Sequence, residues 1–192
     1  MQKERSFKMA KVYAMIADGS EEVECLAVVD VLRRSGIETV LVSIEKDRRI
    51  VSSHQVPIEA DATIAETDFS DADVIFLPGG MPGSERLSAC EPLIEALKKQ
   101  RDAGKHIAAI CAAPAVVLGR HGFLEGKTAT CFPGFEKDLK GAEYTNQQGV
   151  VTDGIYTTGK GLGVALDLGL ELVKMLESEA AAEDTRKKIQ YC

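Results

Sequence analysis

The chain has no apolar run long enough to cross a bilayer, and its opening stretch, MQKERSFKMAKVYAMIADG, lacks the apolar core of a secretory leader. These absences predict a cytoplasmic protein with no membrane partner. There is no CxxC pair either. The five cysteines, at 25, 90, 111, 131 and 192, are odd in number and scattered, so the sequence offers no zinc or redox-dithiol motif and predicts reduced thiols and no metal. Basic residues are outnumbered 23 to 30, for a net charge of −7. That balance argues against sequence-independent binding to nucleic acid or anionic lipid, and it leaves small molecules or proteins as partners. No linker, internal repeat or low-complexity tract divides the 192 residues, so one domain over 1–192 is expected, with residues 1–9 as a flexible extension in which Met9 offers a second start.

Short apolar runs alternate with helical patterns. KVYAMIA (11–17), TVLVSI (39–44), DVIFLP (73–78) and HIAAI (106–110) read as strands, and a helical pattern occupies 22–35. Strands alternating with amphipathic helices predict an α/β fold with a mostly parallel central sheet covered on both faces. The alternation in RRIVSSHQVPIEA (48–60) predicts a hairpin, and AEYTNQQGVVTDGIYTTG (142–159) predicts antiparallel strands turning at Gln148-Gly149 and Asp153-Gly154. Leucines and valines spaced by three and four over Leu162–Ser178 predict a buried helix with Met175 in the core, followed by a charged helix on the surface.

The stretch IAAICAAPAVVL (107–118) changes from strand-like to helix-like at Cys111. A cysteine at a strand-to-helix corner faces unpaired N–H groups and partial positive charge, which lowers a thiol pKa and favours a nucleophile. A small apolar filler fits the same position. Three loops follow predicted parallel strands: DGSEEVE (18–24), PGGMPGS (78–84) and CAAP (111–114). Ligands of open α/β sheets bind at such strand ends. Gly79 and Gly80 let backbone amides approach a bound atom, as an oxyanion site requires. Residues two apart on a helix face different ways, so Glu21 and Glu22 are expected in solvent and Glu24 inward, where a carboxyl of raised pKa would donate a proton to sulfur.

The ordered set DGSEEVE, VDVLRRSGI, DVIFLPGG, AAICAAPAVVL and TGKGLG resembles the ThiJ/PfpI superfamily, in its DJ-1 branch, from Lys11 to about Leu176. The resemblance implies a flavodoxin-like three-layer sandwich with Cys111 at a nucleophile elbow. It implies that Glu24 bonds the sulfur and that the amides of Gly80 and Ala112 form the oxyanion site. It also implies a homodimer paired through the first helix and the hairpin, with His54 and Arg34 at the mouth of the partner's site. Lys160 stands where relatives carry an arginine, and Gly79, Cys131 and Phe132 are placed near the pocket, with Cys131 a candidate resolving thiol. The first helix adds its own reason to expect a dimer: Val23, Ala27, Val28, Val31 and Leu32 spread apolar surface over a broad arc. Cys25 is expected under that helix near the dimer surface.

Two departures narrow the activity. Peptidase-like and glyoxalase-like branches place a histidine directly after the cysteine, but Ala112 follows Cys111, which disfavours a Cys-His protease. Relatives with a THP-like segment have a histidine near the site, whereas TCFP stands here; His106 and His121 read as structural or solvated. The resemblance then implies cofactor-independent action on α-oxoaldehydes such as methylglyoxal and glyoxal, or on their early adducts with protein or nucleotide amino groups, in the manner of a glyoxalase III or deglycase. Its alternative is a non-enzymatic oxidative-stress sensor or chaperone that uses oxidation of the same cysteine.

Overall fold

The computed structural model describes residues 9–192; most of the expected 1–9 extension therefore lies outside the described residues. Its strands are β1 (Lys11–Ile16), β2 (Glu38–Ser43), β3 (Arg49–Val51), β4 (Pro57–Glu59), β5 (Ala62–Thr63), β6 (Val74–Leu77), β7 (His106–Ile110), β8 (Thr128–Ala129), β9 (Glu143–Tyr144), β10 (Val150–Asp153) and β11 (Tyr156–Gly159). The helices are α1 (Glu22–Arg34), α2 (Gly83–Ala89), α3 (Glu91–Asp102), α4 (Ala165–Leu176) and α5 (Glu179–Lys188). Seven strands form the central sheet in the order β10-β11-β7-β6-β1-β2-β5, parallel throughout except for the β10/β11 pair. This is the α/β, flavodoxin-like arrangement expected, with β3 and β4 as the separate hairpin.

The period-two geometry of a strand explains why the central runs are apolar at every position. Val12, Ala14 and Ile16 of β1 face one side, with Val74 and Phe76 of β6, and pack against Val28 and Leu32 of α1 and Leu168 and Leu172 of α4. Tyr13 and Met15 face the other side with Ile75 and Leu77, under Leu93 and Leu97 of α3. A parallel sheet buried on both faces must read this way.

Three local expectations change. Only Asp153-Gly154 turns an antiparallel pair; Gln148-Gly149 does not, because Glu143–Tyr144 instead pairs parallel with Thr128–Ala129. Met175 is 39% exposed. It lies in the last turn of α4 on the side turned from the core, while the next residue, Leu176, still packs against it. The segment Pro114–Gly119 is helical but π-wound, with the Arg120 N–H donated to the Ala115 carbonyl, a widened winding that recurs at functional sites. The apolar arc of α1 is largely covered within the chain itself. Val28, Val31 and Leu32 are buried and Cys25 is in the core, while Val23 and Leu26 remain exposed.

Candidate active site

The carboxyl ends of three neighbouring parallel strands, β1, β6 and β7, deliver the site. After β7 the chain reverses through Cys111, whose φ of +64° lies in the left-handed region that non-glycine residues avoid. A strained backbone at a half-buried thiol is the geometry of a nucleophile elbow. The Cys111 N–H is tied to the Gly159 carbonyl at 2.9 Å, and the Cys111 carbonyl accepts the Phe132 N–H at 2.8 Å, so the corner is held from both sides.

After β6, Gly79 and Gly80 approach the same point. A Cβ on Gly79 would lie 2.5 Å from Cys111 Cβ, 2.5 Å from Glu24 Oε2 and 3.0 Å from Cys111 Sγ, so no side chain fits between the thiol and the carboxyl. Gly80 has φ +88° and backs onto the Glu21 amide. Glu24, on the first turn of α1, is almost fully buried; it accepts the Gly79 N–H at 3.0 Å and meets the Cys111 thiol. The amides of Gly80 and Ala112 are directed at the Cys111 sulfur.

Burial pushes the Glu24 carboxyl up to about 7, opposed by its hydrogen bonds to Cys111, Gly79 and Leu162 and assisted by the negative charge of Glu21. The Cys111 thiol is pushed up to about 12, chiefly by burial and then by Glu24, against the two amides. The lowered thiol pKa expected from the helix start is therefore not found, because desolvation and an adjacent carboxylate outweigh the local amides. The two groups are coupled and titrate as a pair.

Glu21 and Glu22 correct the expectation that both stay in solvent. Glu21 is 8% exposed and is the N-cap of α1, its Oε2 accepting the Glu24 N–H at 2.6 Å; Glu22 is half-buried beside the hairpin tip. The spacing Glu21-x-x-Glu24 at a helix start is the signal that could have revealed the cap. Leu162, whose amide reaches Glu24, carried no signal in its side chain.

The peripheral residues are spread out. The hairpin tip folds over the start of its own α1, with His54 Nδ1 3.2 Å from Glu22 Oε1 and 3.8 Å from Glu21 Oε1. These three residues hold potential metal donors within 4.8 Å of one another, but the cap already engages Glu21 and the imidazole is exposed, so no ligand role is assigned. Arg34 pairs with Asp30 in the last turn of α1, about 15 Å along the helix from Glu24 at 1.5 Å per residue. Within one chain it cannot touch the sulfur. Lys160 Nζ donates to the Asn146 carbonyl instead of entering the site. Phe132 is exposed and its ring lies over Gly161, at the mouth. Cys131 is fully buried and pushed up to about 12 by burial, which opposes the thiolate a resolving cysteine needs. His106 is buried on Thr157, and His121 is exposed beside Ser88.

A flavodoxin-like sheet with a cysteine elbow at its strand ends defines the class. Residues 10–175 match the model of the DJ-1/PfpI family. The chain belongs to that family. It is 38% identical to Protein DJ-1 homolog B of Arabidopsis thaliana over 174 residues, covering 90% of this chain and 40% of the relative, so it spans less than half the length of that protein. It is 31% identical over 161 residues to the glutathione-independent glyoxalase DJR-1.2 of Caenorhabditis elegans, covering 83% and 84% of the two chains. The solved structure of oxidized DJ-1 from Toxoplasma gondii superimposes with a TM-score of 0.92 at 34% identity, over 95% of this chain and 99% of that one. Among the described residues no helix is long and apolar enough to cross a membrane.

Proposed function

We propose that this protein is a cofactor-independent, cysteine-dependent enzyme acting on α-oxoaldehydes or their early adducts, in the manner of a glyoxalase III or deglycase. The observation that carries the reading is the convergence of the Cys111 sulfur, the Glu24 carboxyl and the amides of Gly80 and Ala112. The relative named as a glutathione-independent glyoxalase supports it.

With methylglyoxal, sulfur forms a bond to the aldehyde carbon and the aldehyde oxygen takes a proton, giving a hemithioacetal beside the two amides. The Glu24 carboxylate removes the proton from that carbon and the neighbouring keto oxygen is protonated, giving an enediol. Return of a proton to the former keto carbon, with loss of one from the hydroxyl on the sulfur-bearing carbon, leaves a lactoyl thioester. Water cleaves the thioester, releasing lactate and restoring the thiol; the net change is addition of one water. A base titrating at about 7 suits this shuttle, because it is neither fully protonated nor too weak at neutral pH. The direct test is lactate formation from methylglyoxal by the full chain and by Cys111→Ser, resolved into D and L forms. Stoichiometric consumption without turnover would sink the enzyme reading.

The second reading is a sensor or redox-regulated chaperone in which Cys111 becomes a sulfinate held by Glu24 and the same amides; the oxidized state of the solved relative favours keeping it. Peroxide titration distinguishes it by a gain of two oxygens at Cys111. With either reading we propose a cytoplasmic homodimer whose contact surface includes Val23 and Leu26 of α1 and Val51 and Val56 of the hairpin, all exposed in the single chain. Such a dimer would carry Arg34 and His54 toward the partner's site.

A further inference from the structure

We propose that Glu21 is a positioning residue for the Glu24–Cys111 pair, holding the first turn of α1 against the glycine loop and keeping a second carboxylate beside the reacting groups. The inference deepens the proposed function and rests on its assignment of Glu24 and Cys111 as the working pair.

The geometry is a double clamp on one glycine. The Glu21 N–H donates to the Gly79 carbonyl at 3.0 Å, while the Gly79 N–H donates to Glu24 Oε2 at 3.0 Å. Glu21 Oε2 closes the first turn on the Glu24 N–H at 2.6 Å. The same residue therefore fixes both the backbone from which Glu24 projects and the loop that separates Glu24 from sulfur. Asp, Asn, Ser or Thr is the ordinary choice for a helix cap. A buried glutamate in that position brings a charge as well as an acceptor.

That charge has little to balance it. Among the described residues no lysine or arginine pairs with Glu21, and the nearest cationic candidate is His54 Nδ1, 3.8 Å from its Oε1 on an exposed ring. The groups facing Glu24 are Glu21 on its own helix, Cys111 from the β7 corner, and the amides of Gly79 and Leu162 from two loops. Glu22 and His54 lie one step further out, at the hairpin contact. The Cys111 thiol and the two amides favour an ionised Glu24; Glu21 alone in this set opposes it by charge. Glu21 thus works to keep Glu24 protonated at rest.

The test is the pH profile of iodoacetamide labelling at Cys111, followed by mass mapping, in the full chain and in Glu21→Gln, Glu21→Ala and Glu22→Gln. Glutamine keeps a side-chain oxygen for the Glu24 N–H and removes the charge. The step that Glu24 ionisation imposes on the labelling profile is expected to move about one unit to lower pH in Glu21→Gln, with the melting temperature little changed. Glu21→Ala loses the cap as well and is expected to melt earlier. A Glu21→Gln profile superimposing on wild type would overturn the proposal, and so would an equal shift in Glu22→Gln, which would mark a general effect of charge at the helix start. The readout is thiol reactivity and not turnover. A shifted profile with no lactate defeats the enzyme reading and leaves the role of Glu21 intact; lactate with an unshifted profile does the reverse.

Discussion

Strand β7 has a buried titratable group at each end, and the two behave in opposite ways. At its start, His106 is pushed down to about 4 by burial alone and donates to or accepts from Thr157 Oγ1 at 2.8 Å, with Thr152 Oγ1 2.9 Å further along. Just past its end, Cys111 and Glu24 are both pushed up, chiefly by burial, with the charge of Glu24 adding to the rise of the thiol and that of Glu21 to the rise of the carboxyl. The imidazole is quiet because a neutral ring with a hydroxyl partner satisfies its burial. The thiol and carboxyl compete for protons beside amides that would welcome an anion. Burial alone does not make a site; burial with an unresolved proton does.

The largest effect that would break this contrast is at the thiol. Cys111→Ser should lower lactate formation from methylglyoxal by at least about a thousandfold, since a hydroxyl near its ordinary pKa is a far weaker nucleophile. Residual activity near wild type would move the chemistry away from the β7 corner.

At the opposite end, the unfolded imidazole takes a proton near 6.5, whereas the folded one stays neutral down to about 4. The unfolded state binds more protons in that window, so this contribution is fully present above 6.5 and is lost as pH falls toward 4, by up to about 3 kcal/mol. Urea unfolding at pH 7 and pH 4.5 measures it, and His106→Gln should remove that part of the slope. An unchanged slope would mean His106 is not its source.

Gly79→Ala sharpens the comparison without replacing a titratable group. The added Cβ forces apart Cys111 and Glu24, and a displacement of about 1 Å at reacting groups costs about a hundredfold in rate. Steady-state turnover together with Cys111 labelling would reveal it, and retention of both would show that the close contact is not required.

The smallest effect has the opposite sign to that of His106. Folded Glu24 keeps its proton up to about 7 while the unfolded carboxyl loses it near 4.5, so its contribution is full below 4.5 and is lost as pH rises toward 7. At pH 8, Glu24→Gln should therefore be more resistant to urea than wild type by about 1–2 kcal/mol, after allowance for weakened hydrogen bonds. A destabilised Glu24→Gln at pH 8 would show that the charged pair stabilises the fold.

The alternation of apolar strands with helices announced the sheet, since residues such as Val12 through Ile16 have no polar face to expose. The change of pattern at Cys111 marked the corner, and the neighbouring glycines marked a backbone approach. Glu24 was legible as the inward carboxyl because helical spacing separates it from Glu22. Glu21 was misplaced in solvent, for helical periodicity describes residues inside a helix and not the cap, whose direction depends on the loop it meets. Met175 was misplaced in the core because mixed three- and four-residue spacings leave the edge of a helix face undefined, and Met175 falls outside it while Leu176 packs inward. The amide of Leu162 left no trace, as any residue supplies the same N–H.

The sequence by itself determined which segments are buried on both faces, where the chain changes from strand to helix, and which thiol stands at that change; these follow from local periodicity and residue chemistry. Only the tertiary structure decided that Gly79 sits between Cys111 and Glu24, that Glu21 is sealed beside them, and that the thiol pKa rises and does not fall. Those outcomes depend on how much water remains when loops distant in the chain converge, and desolvation is a property of the assembled fold.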